Sequence, residues 1–217
     1  KVKEIRNGKL YFDDCDTVEL AQKYGTLLYV MSLTDMERRI TELKDSFLHK
    51  YENTRAAYAS KAFLCLGMCE IIQKSGLCID VVSGGELYIV KKALFPPERV
   101  EFNGNNKQPF EIDMAVEYGV GRIIVDGLNE LALIEEACKK YNKKMNIMLR
   151  ITPGVSASTH DYIITGKKDS KFGIPLEEDV FLPVVKQALD SEYLEFTGLH
   201  MHIGSQLFEV EPYIESL

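Results

Sequence analysis

The sequence predicts an α/β protein whose parallel strands wind as an incomplete (β/α)8 TIM-type barrel, with about six of the eight strands visible. Three observations predict it. Apolar, β-rich runs alternate with amphipathic stretches, and successive runs lie about 20–25 residues apart. No Gly-x-Gly-x-x-Gly follows the first strand, so the crevice of an open doubly wound sheet is not signalled. Polar residues close the C-terminal end of each run, namely Lys61, Asp80 with Ser83, Asn103 to Lys107, Asp126, Arg150 and His202. A (β/α) barrel keeps its active site at that end. A full barrel takes about 250 residues, so a chain of 217 residues is expected to stop before closure.

The elements follow in order. Residues 1–12 predict a hairpin turning at Asn7-Gly8. Thr17 is expected to cap a helix over about 18–24 that ends at Gly25. Leu27 to Val30 reads as a strand, and Ser32 or Thr34 caps a long helix to about residue 50. Residues 54–59 form a short buried strand ending on Lys61. Helices are expected over about 64–75, 84–94, 109–118, 129–141 and 178–191, and strands over 79–82, 100–102, 122–126, 147–151 and 196–202. A long irregular insert occupies 152–175, and Pro212 falls in a last helix.

Composition narrows the function. A net charge of −7 without a Lys/Arg cluster argues against a nucleic-acid surface. No apolar run approaches the roughly 20 residues of a membrane span, and the first residues lack the apolar core of a signal peptide. Five cysteines (Cys15, Cys65, Cys69, Cys78 and Cys138) have no framework spacing and read as reduced, mostly buried thiols, hence a cytoplasmic setting. Cys65 and Cys69 share a helix face, but no second pair completes a metal site, and core packing is the expected role. The chain opens without an initiator Met and is expected to be a piece of a longer protein.

Lys61 stands at a strand mouth between Ser60 and the apolar Ala62-Phe63-Leu64. Desolvation there disfavours the ammonium, and a neutral amine can condense with an aldehyde such as that of pyridoxal phosphate. A lysine whose stem packs while its head reaches water fits the same residues. His200 and His202, two apart on one strand, point to one side. Glu86 suits the positive end of its helix, and Asp80, before two valines, calls for a cationic partner.

Six motifs then occur in order: Tyr58-Ala59-Ser60-Lys61-Ala62, Ile79-Asp80-Val81-Val82-Ser83-Gly84-Gly85-Glu86-Leu87, Asn103-Gly104-Asn105-Asn106-Lys107, Leu149-Arg150-Ile151-Thr152-Pro153-Gly154, Ser170-Lys171-Phe172-Gly173 and Gly198-Leu199-His200-Met201-His202-Ile203-Gly204-Ser205-Gln206. Together they resemble the diaminopimelate decarboxylases, which use pyridoxal 5'-phosphate, have the alanine racemase-like fold and are akin to ornithine decarboxylase. The resemblance covers nearly the whole chain. It departs at Phe63, where many members have Asn, and at Leu27, where many have Pro. The family's Gly-rich phosphate loop, its Glu-Pro-Gly-Arg segment and its C-terminal β-domain, which carries a Cys and a Tyr of the site, are not in this sequence. Residues 1–30 would be N-terminal strands that normally join that β-domain, and 31–217 the partial pyridoxal-phosphate-binding barrel.

The resemblance implies decarboxylation of meso-diaminopimelate to L-lysine and CO2. It implies that Lys61 holds the cofactor as a Schiff base and that His202 stacks on its ring. Ser205 with Gly204 would contact the phosphate, and Asp80 and Glu86 would orient the lysine. Arg150 would line the site and pair with Asp80 or Glu86, and His200 would stand behind His202. His160 and Thr165-Gly166 belong to the insert, and Lys171 resembles an interface lysine. The implied partners are an amino-acid substrate and a second subunit, in a homodimer with shared active sites. No metal, nucleic acid or membrane is implied. Two alternatives stay open: a related pyridoxal-phosphate decarboxylase with another substrate, and a non-catalytic cofactor-binding or dimerisation module. The first would keep Lys61 and His202 and differ in the specificity loop.

Overall fold

The computed structural model describes residues 2–153, 172–205 and 207–217. Gly154, His160, Thr165-Gly166, Ser170, Lys171 and Gln206 lie outside the described residues. The chain divides into two compact units, Lys1–Ala56 and Ala57–Leu217.

In the first unit, β1 (Lys3–Arg6) and β2 (Lys9–Phe12) pair antiparallel about Asn7 and Gly8, both at positive φ, and β3 (Cys15–Asp16) adds to β2. An Asn-Gly pair adopts that geometry at low cost and matches the twist of the strands. Helix α1 (Thr17–Tyr24) is capped by Asp16 rather than by Thr17. The Asp16 carboxylate accepts from Val18 N and Glu19 N, while the Thr17 hydroxyl donates back to Leu10 O. The strand expected at residues 27–30 does not form. Leu27 and Tyr29 are almost fully exposed (101% and 98%), and no ladder partner lies beside them among the described residues. β-rich composition without a partner leaves the backbone to water. Helix α2 (Leu33–Leu43) starts at Ser32, whose hydroxyl accepts from Asp35 N and donates to Asp13, and it runs into a π-helical turn at Lys44–Leu48.

The second unit is a parallel sheet with its connecting helices. In chain order these are β4 (Ala57–Ala59), α3 (Leu66–Ser75), β5 (Cys78–Val81), α4 (Gly84–Lys92), β6 (Val100–Phe102), α5 (Pro109–Tyr118), β7 (Arg122–Val125), α6 (Leu128–Tyr141), β8 (Met145–Thr152), β9 (Ile174–Pro175), α7 (Glu178–Asp190), β10 (Leu194–Met201) and α8 (Glu211–Glu215). The seven-stranded sheet has the order β10-β8-β7-β6-β5-β4, with β9 pairing beside β8, and every described pairing is parallel. An order that advances without reversal is the winding of a barrel wall, because right-handed crossovers then lay successive helices on one face. β4 and β10 end this path and do not pair with each other among the described residues, so the barrel is incomplete, as expected.

Strand and helix faces meet in one core. Ile79, Val81, Phe102, Ile123, Val125, Ile147 and Leu149 pack against Ile72, Leu87, Ile112, Leu131 and Ile134, all buried. Each contributes about 1.5–3 kcal/mol relative to exposure. Gly121 is fixed by a close approach: a Cβ there would lie 2.3 Å from Glu98 O, and its N–H donates to Pro97 O and Val100 O. Cys69, Cys78 and Cys138 are buried, whereas Cys15 and Cys65 are exposed. No described helix is long and apolar enough to cross a membrane.

Candidate active site

The C-terminal ends of the barrel strands surround a cavity of about 1040 Å³. Lys61, Asp80, Arg150, His200, His202, Gly204 and Ser205 line it. Seven of the eight residues singled out from sequence therefore line one cavity, and Glu86 is not among its lining residues.

Lys61 sits in a 3-10 turn, Ser60–Ala62, that leaves β4. Tyr58 Oη donates to Phe63 O at 2.8 Å and closes the backbone around the lysine. Ser60 is buried and its hydroxyl donates to Glu86 Oε2 at 2.9 Å; the same oxygen accepts from Val82 N at 2.6 Å. Glu86, in the first turn of α4 behind the Ser83 cap, thus ties the end of β4 to the end of β5. Its contact with the turn that carries Lys61 runs through Ser60. The desolvation expected at Lys61 is not met. Lys61, Ala62 and Phe63 are all exposed, because β4 ends the sheet and has a neighbour on one side only.

Asp80 closes β5 beside this turn. Burial pushes its carboxyl up to about 7, and the Glu101 charge adds to the effect. A hydrogen bond with Asn103 and the charge of Lys61 oppose it. Asp80 Oδ1 is buried and has no hydrogen-bond partner among the described residues. Asn103, at the end of β6, lies 3.5 Å through Nδ2 from His200 Nε2, so it stands between Asp80 and the histidines. The sequence reading named this loop without giving Asn103 a role.

Arg150 does not pair with Asp80 or Glu86. Its Nη1 donates to Asp126 Oδ1 at 2.7 Å, both side chains being buried. Strand order gives the reason. β7 is the neighbour of β8, and the register Val125↔Leu149 brings Asp126 beside Arg150, whereas β5 lies two strands further along. Asp126 Oδ2 accepts from Gly173 N at 3.1 Å, the Arg150 guanidinium stacks 4.6 Å over Phe172, and Thr152 Oγ1 donates to Phe172 O at 2.6 Å. Gly173 has φ +78, and a Cβ there would meet Thr152 Oγ1 at 3.0 Å and Ile151 C at 3.1 Å. Lys107 lines the cavity, as expected of the strand-end loop, but is itself buried. Its Nζ donates to Gly104 O, Ile124 O and Glu130 Oε2 at 2.6, 2.6 and 2.9 Å.

His200 and His202 flank the C-terminal end of β10. A bulge at Thr197, whose hydroxyl donates to Ile147 O, shifts the register of that strand before it reaches them. Burial pushes His200 down to about 4, with the charges of Arg150 and His202 adding, and its Nδ1 has no partner among the described residues. His202 is also lowered, first by burial and then by Lys61 and Arg150. Burial thus disfavours the protonated form of both rings. No group of three or more His, Cys, Asp or Glu among the described residues is placed to hold a metal ion.

Comparison with known proteins identifies the scaffold. Residues 33–217 match the family model for the pyridoxal-binding domain of pyridoxal-dependent decarboxylases. Diaminopimelate decarboxylase of Bacillus methanolicus is 45% identical over 207 residues, covering 95% of this chain and 48% of the relative. That of Bacillus subtilis is 43% identical over 212 residues, covering 98% and 48%. The crystal structure of the enzyme from Methanocaldococcus jannaschii superposes with a TM-score of 0.89 at 40% identity, covering 99% of this chain and 50% of that one. The chain spans about half the length of the curated relatives it matches. A lysine decarboxylase from Selenomonas ruminantium, at 22% identity and a TM-score of 0.79, shares the fold. With the parallel barrel wall and a lysine-bearing cavity at its strand ends, these matches establish that the chain belongs to the pyridoxal-dependent decarboxylase family, over that family's pyridoxal-binding domain.

Proposed function

We propose that this chain carries the pyridoxal 5'-phosphate-binding barrel wall of a diaminopimelate decarboxylase, which converts meso-diaminopimelate to L-lysine and CO2. The observation that carries the reading is the Lys61 turn, locked by Tyr58 and the Ser60–Glu86 bond at the edge of a cavity shared with Asp80 and His202. Relatives that share this scaffold at 40–45% identity are named diaminopimelate decarboxylase, and the M. jannaschii enzyme has a structure in co-complex with L-lysine.

The residues present fit the cofactor. The cavity offers a primary amine for the aldehyde, two imidazoles for a flat ring and short residues at Gly204-Ser205 for an anion. Among the described residues, the buried side-chain atoms Asp80 Oδ1 and His200 Nδ1 lack a hydrogen-bond partner, both residues line this cavity, and a polar occupant would satisfy them. Bound pyridoxal phosphate would supply the electron sink for the pair left when CO2 departs.

The chain's own residues then have separate tasks. Lys61 would hold the cofactor through its Nζ amine. His202 would hold the cofactor's ring, and His200, which lines the same cavity, keeps a ring whose protonation burial disfavours. Ser205 and Gly204 offer hydrogen-bond donors to the phosphate. Asp80 faces the lysine, whose charge it feels, and holds or releases a proton near neutrality. Arg150, fixed by Asp126, lines the cavity with Phe172. The active protein is a homodimer with shared sites, working in the cytoplasm.

The test is borohydride reduction of the full-length protein with added pyridoxal phosphate, followed by peptide mass mapping. A pyridoxyl label on Lys61, absent from K61M, with CO2 released from diaminopimelate and not from ornithine, lysine or arginine, is the expected result. Absence of label on Lys61 overturns the reading, and release from another amino acid corrects the substrate.

A further inference from the structure

The buried charges beside the cavity form a chain of contacts that has no task so far. The side chains of Lys107, which lines the cavity, and Glu130 are 1% and 9% exposed, and their charged groups face each other at 2.9 Å. A buried ion pair rarely stabilises more than apolar residues of the same volume, so its presence calls for another reason. The contacts supply one. Glu130 Oε2 accepts from Lys107 Nζ and also from Asp126 N at 3.0 Å. Lys107 Nζ is at the same time pinned by Gly104 O, from the loop after β6, and by Ile124 O, inside β7. Glu130 stands in the first turn of α6, directly after the loop that contains Asp126. The Asp126 backbone is thus fixed from below by Glu130, and its carboxylate is divided above between Arg150 Nη1 and Gly173 N. Arg150 and Phe172 are the cavity wall that this carboxylate sets.

We propose that Glu130 is a positioning residue, with Lys107 balancing its charge. It holds the Asp126 main chain so that the Asp126 carboxylate aims Arg150, with Phe172 beneath it, at the bound cofactor and substrate. The proposal rests on the decarboxylase reading. The link that matters is the acceptor that Glu130 presents to Asp126 N; its charge serves only to balance Lys107.

Two paired variants of the full-length protein separate that link from packing and charge. K107M/E130Q removes both charges and keeps a side-chain oxygen for Asp126 N. K107M/E130L removes both charges and the oxygen. Turnover is expressed per active site, the sites being counted by borohydride-trapped label on Lys61. Displacing a wall by about 1 Å costs up to about a hundredfold in rate. The glutamine pair is therefore expected within threefold of wild-type kcat per labelled site. The leucine pair is expected tenfold to a hundredfold lower at a KM within twofold, and adding Arg150→Met to it should lower kcat by less than threefold more. Equal kcat per labelled site in the two pairs, or an undiminished further loss on adding Arg150→Met, overturns the proposal. If the leucine pair does not fold, E130D carries the test: it keeps the charge opposite Lys107 but withdraws the oxygen from Asp126 N by one methylene. Its kcat per site should fall at least tenfold, and an unchanged value overturns the proposal. Wild-type protein without label on Lys61 overturns the decarboxylase reading and this inference with it; a labelled wild type with equal pairs overturns the inference alone.

Discussion

Asp80 and His200 line the same cavity and are displaced in opposite directions, with consequences for stability that differ in sign. Asp80 moves from 3.8 to about 7, so the folded protein holds a proton there that the unfolded chain has released. Its contribution is fully present below pH 3.8 and is lost as pH rises through about 7. His200 moves from 6.5 to about 4, so the folded protein lacks a proton that the unfolded chain takes up. Its contribution is present above pH 6.5 and is lost as pH falls through about 4, and His202 adds in the same direction. Between these limits the two slopes oppose. In the cofactor-free protein, Asp80→Asn removes the falling slope, and Tm is expected to rise relative to wild type by several degrees from about pH 4.5 to 6.5. His200→Gln removes the rising slope, and the relative Tm should fall over the same interval. Calorimetric scans at three pH values read both; parallel Tm profiles in all three proteins would exclude the opposition. Glu101, Glu86, Lys61 and Asn103 face Asp80, while Arg150, Asp126, Lys107 and His202 act on His200, and none of them changes in either variant.

At the scale of elements, the junction of β4 with β5 depends on one carboxylate oxygen. Glu86→Ala leaves the Ser60 hydroxyl and Val82 N without their acceptor. Each unpaired donor costs about 1–3 kcal/mol, so urea unfolding should show a loss of about 2–6 kcal/mol. Lys61, one residue from Ser60, should then label more slowly at fixed pyridoxal phosphate. Glu86→Gln, which keeps an acceptor, should recover most of both, and equal losses in the two variants would show that the tie does not run through this oxygen. The strands and helices here were legible because periodicity and Gly or Pro stops coincide, as at Gly76 and Gly119, both helix ends at positive φ. The strand ends were legible as a site because polar residues break apolar runs there. What was not legible is which strand end faces which. Arg150 was assigned to Asp80 or Glu86 although Asp126, on the preceding strand, is its partner. The signal was available in the barrel reading itself, since successive strands of a barrel are neighbours in space. Glu130 looks like an ordinary helix charge in sequence and Lys107 like a rim residue, yet both are buried and paired with each other. Residues 27–30 show the converse: composition suited to a strand forms none where no ladder partner is present.

For the molecule as a whole, the decisive feature is the pair of sheet ends. The sheet path ends at β4 and at β10, and neither has a second neighbour along it among the described residues. Unpaired parallel strands expose rows of N–H and C=O groups and template association. Pro and clustered charge, the usual guards, are sparse there: β4 is Ala-Tyr-Ala, and β10 carries Glu195 and His200 among apolar and small residues. A net charge of −7 gives only weak repulsion, which physiological salt screens beyond about 8 Å. Residues 1–217 expressed alone should therefore associate with rising concentration, and light scattering should increase further with added salt. Leu199→Lys places a charge on β10 at a side chain that is 40% exposed. It is expected to lower the association of residues 1–217 several-fold. In the full-length protein, where the proposed barrel closes over this edge, the same lysine would be buried without a partner and should cost about 2 kcal/mol or more. Sedimentation of the first and urea unfolding of the second read the two effects. A lysine that leaves both unchanged would mean that β10 is not an edge waiting for further strands, and that the resemblance to a half-built barrel stops short of how this chain completes itself.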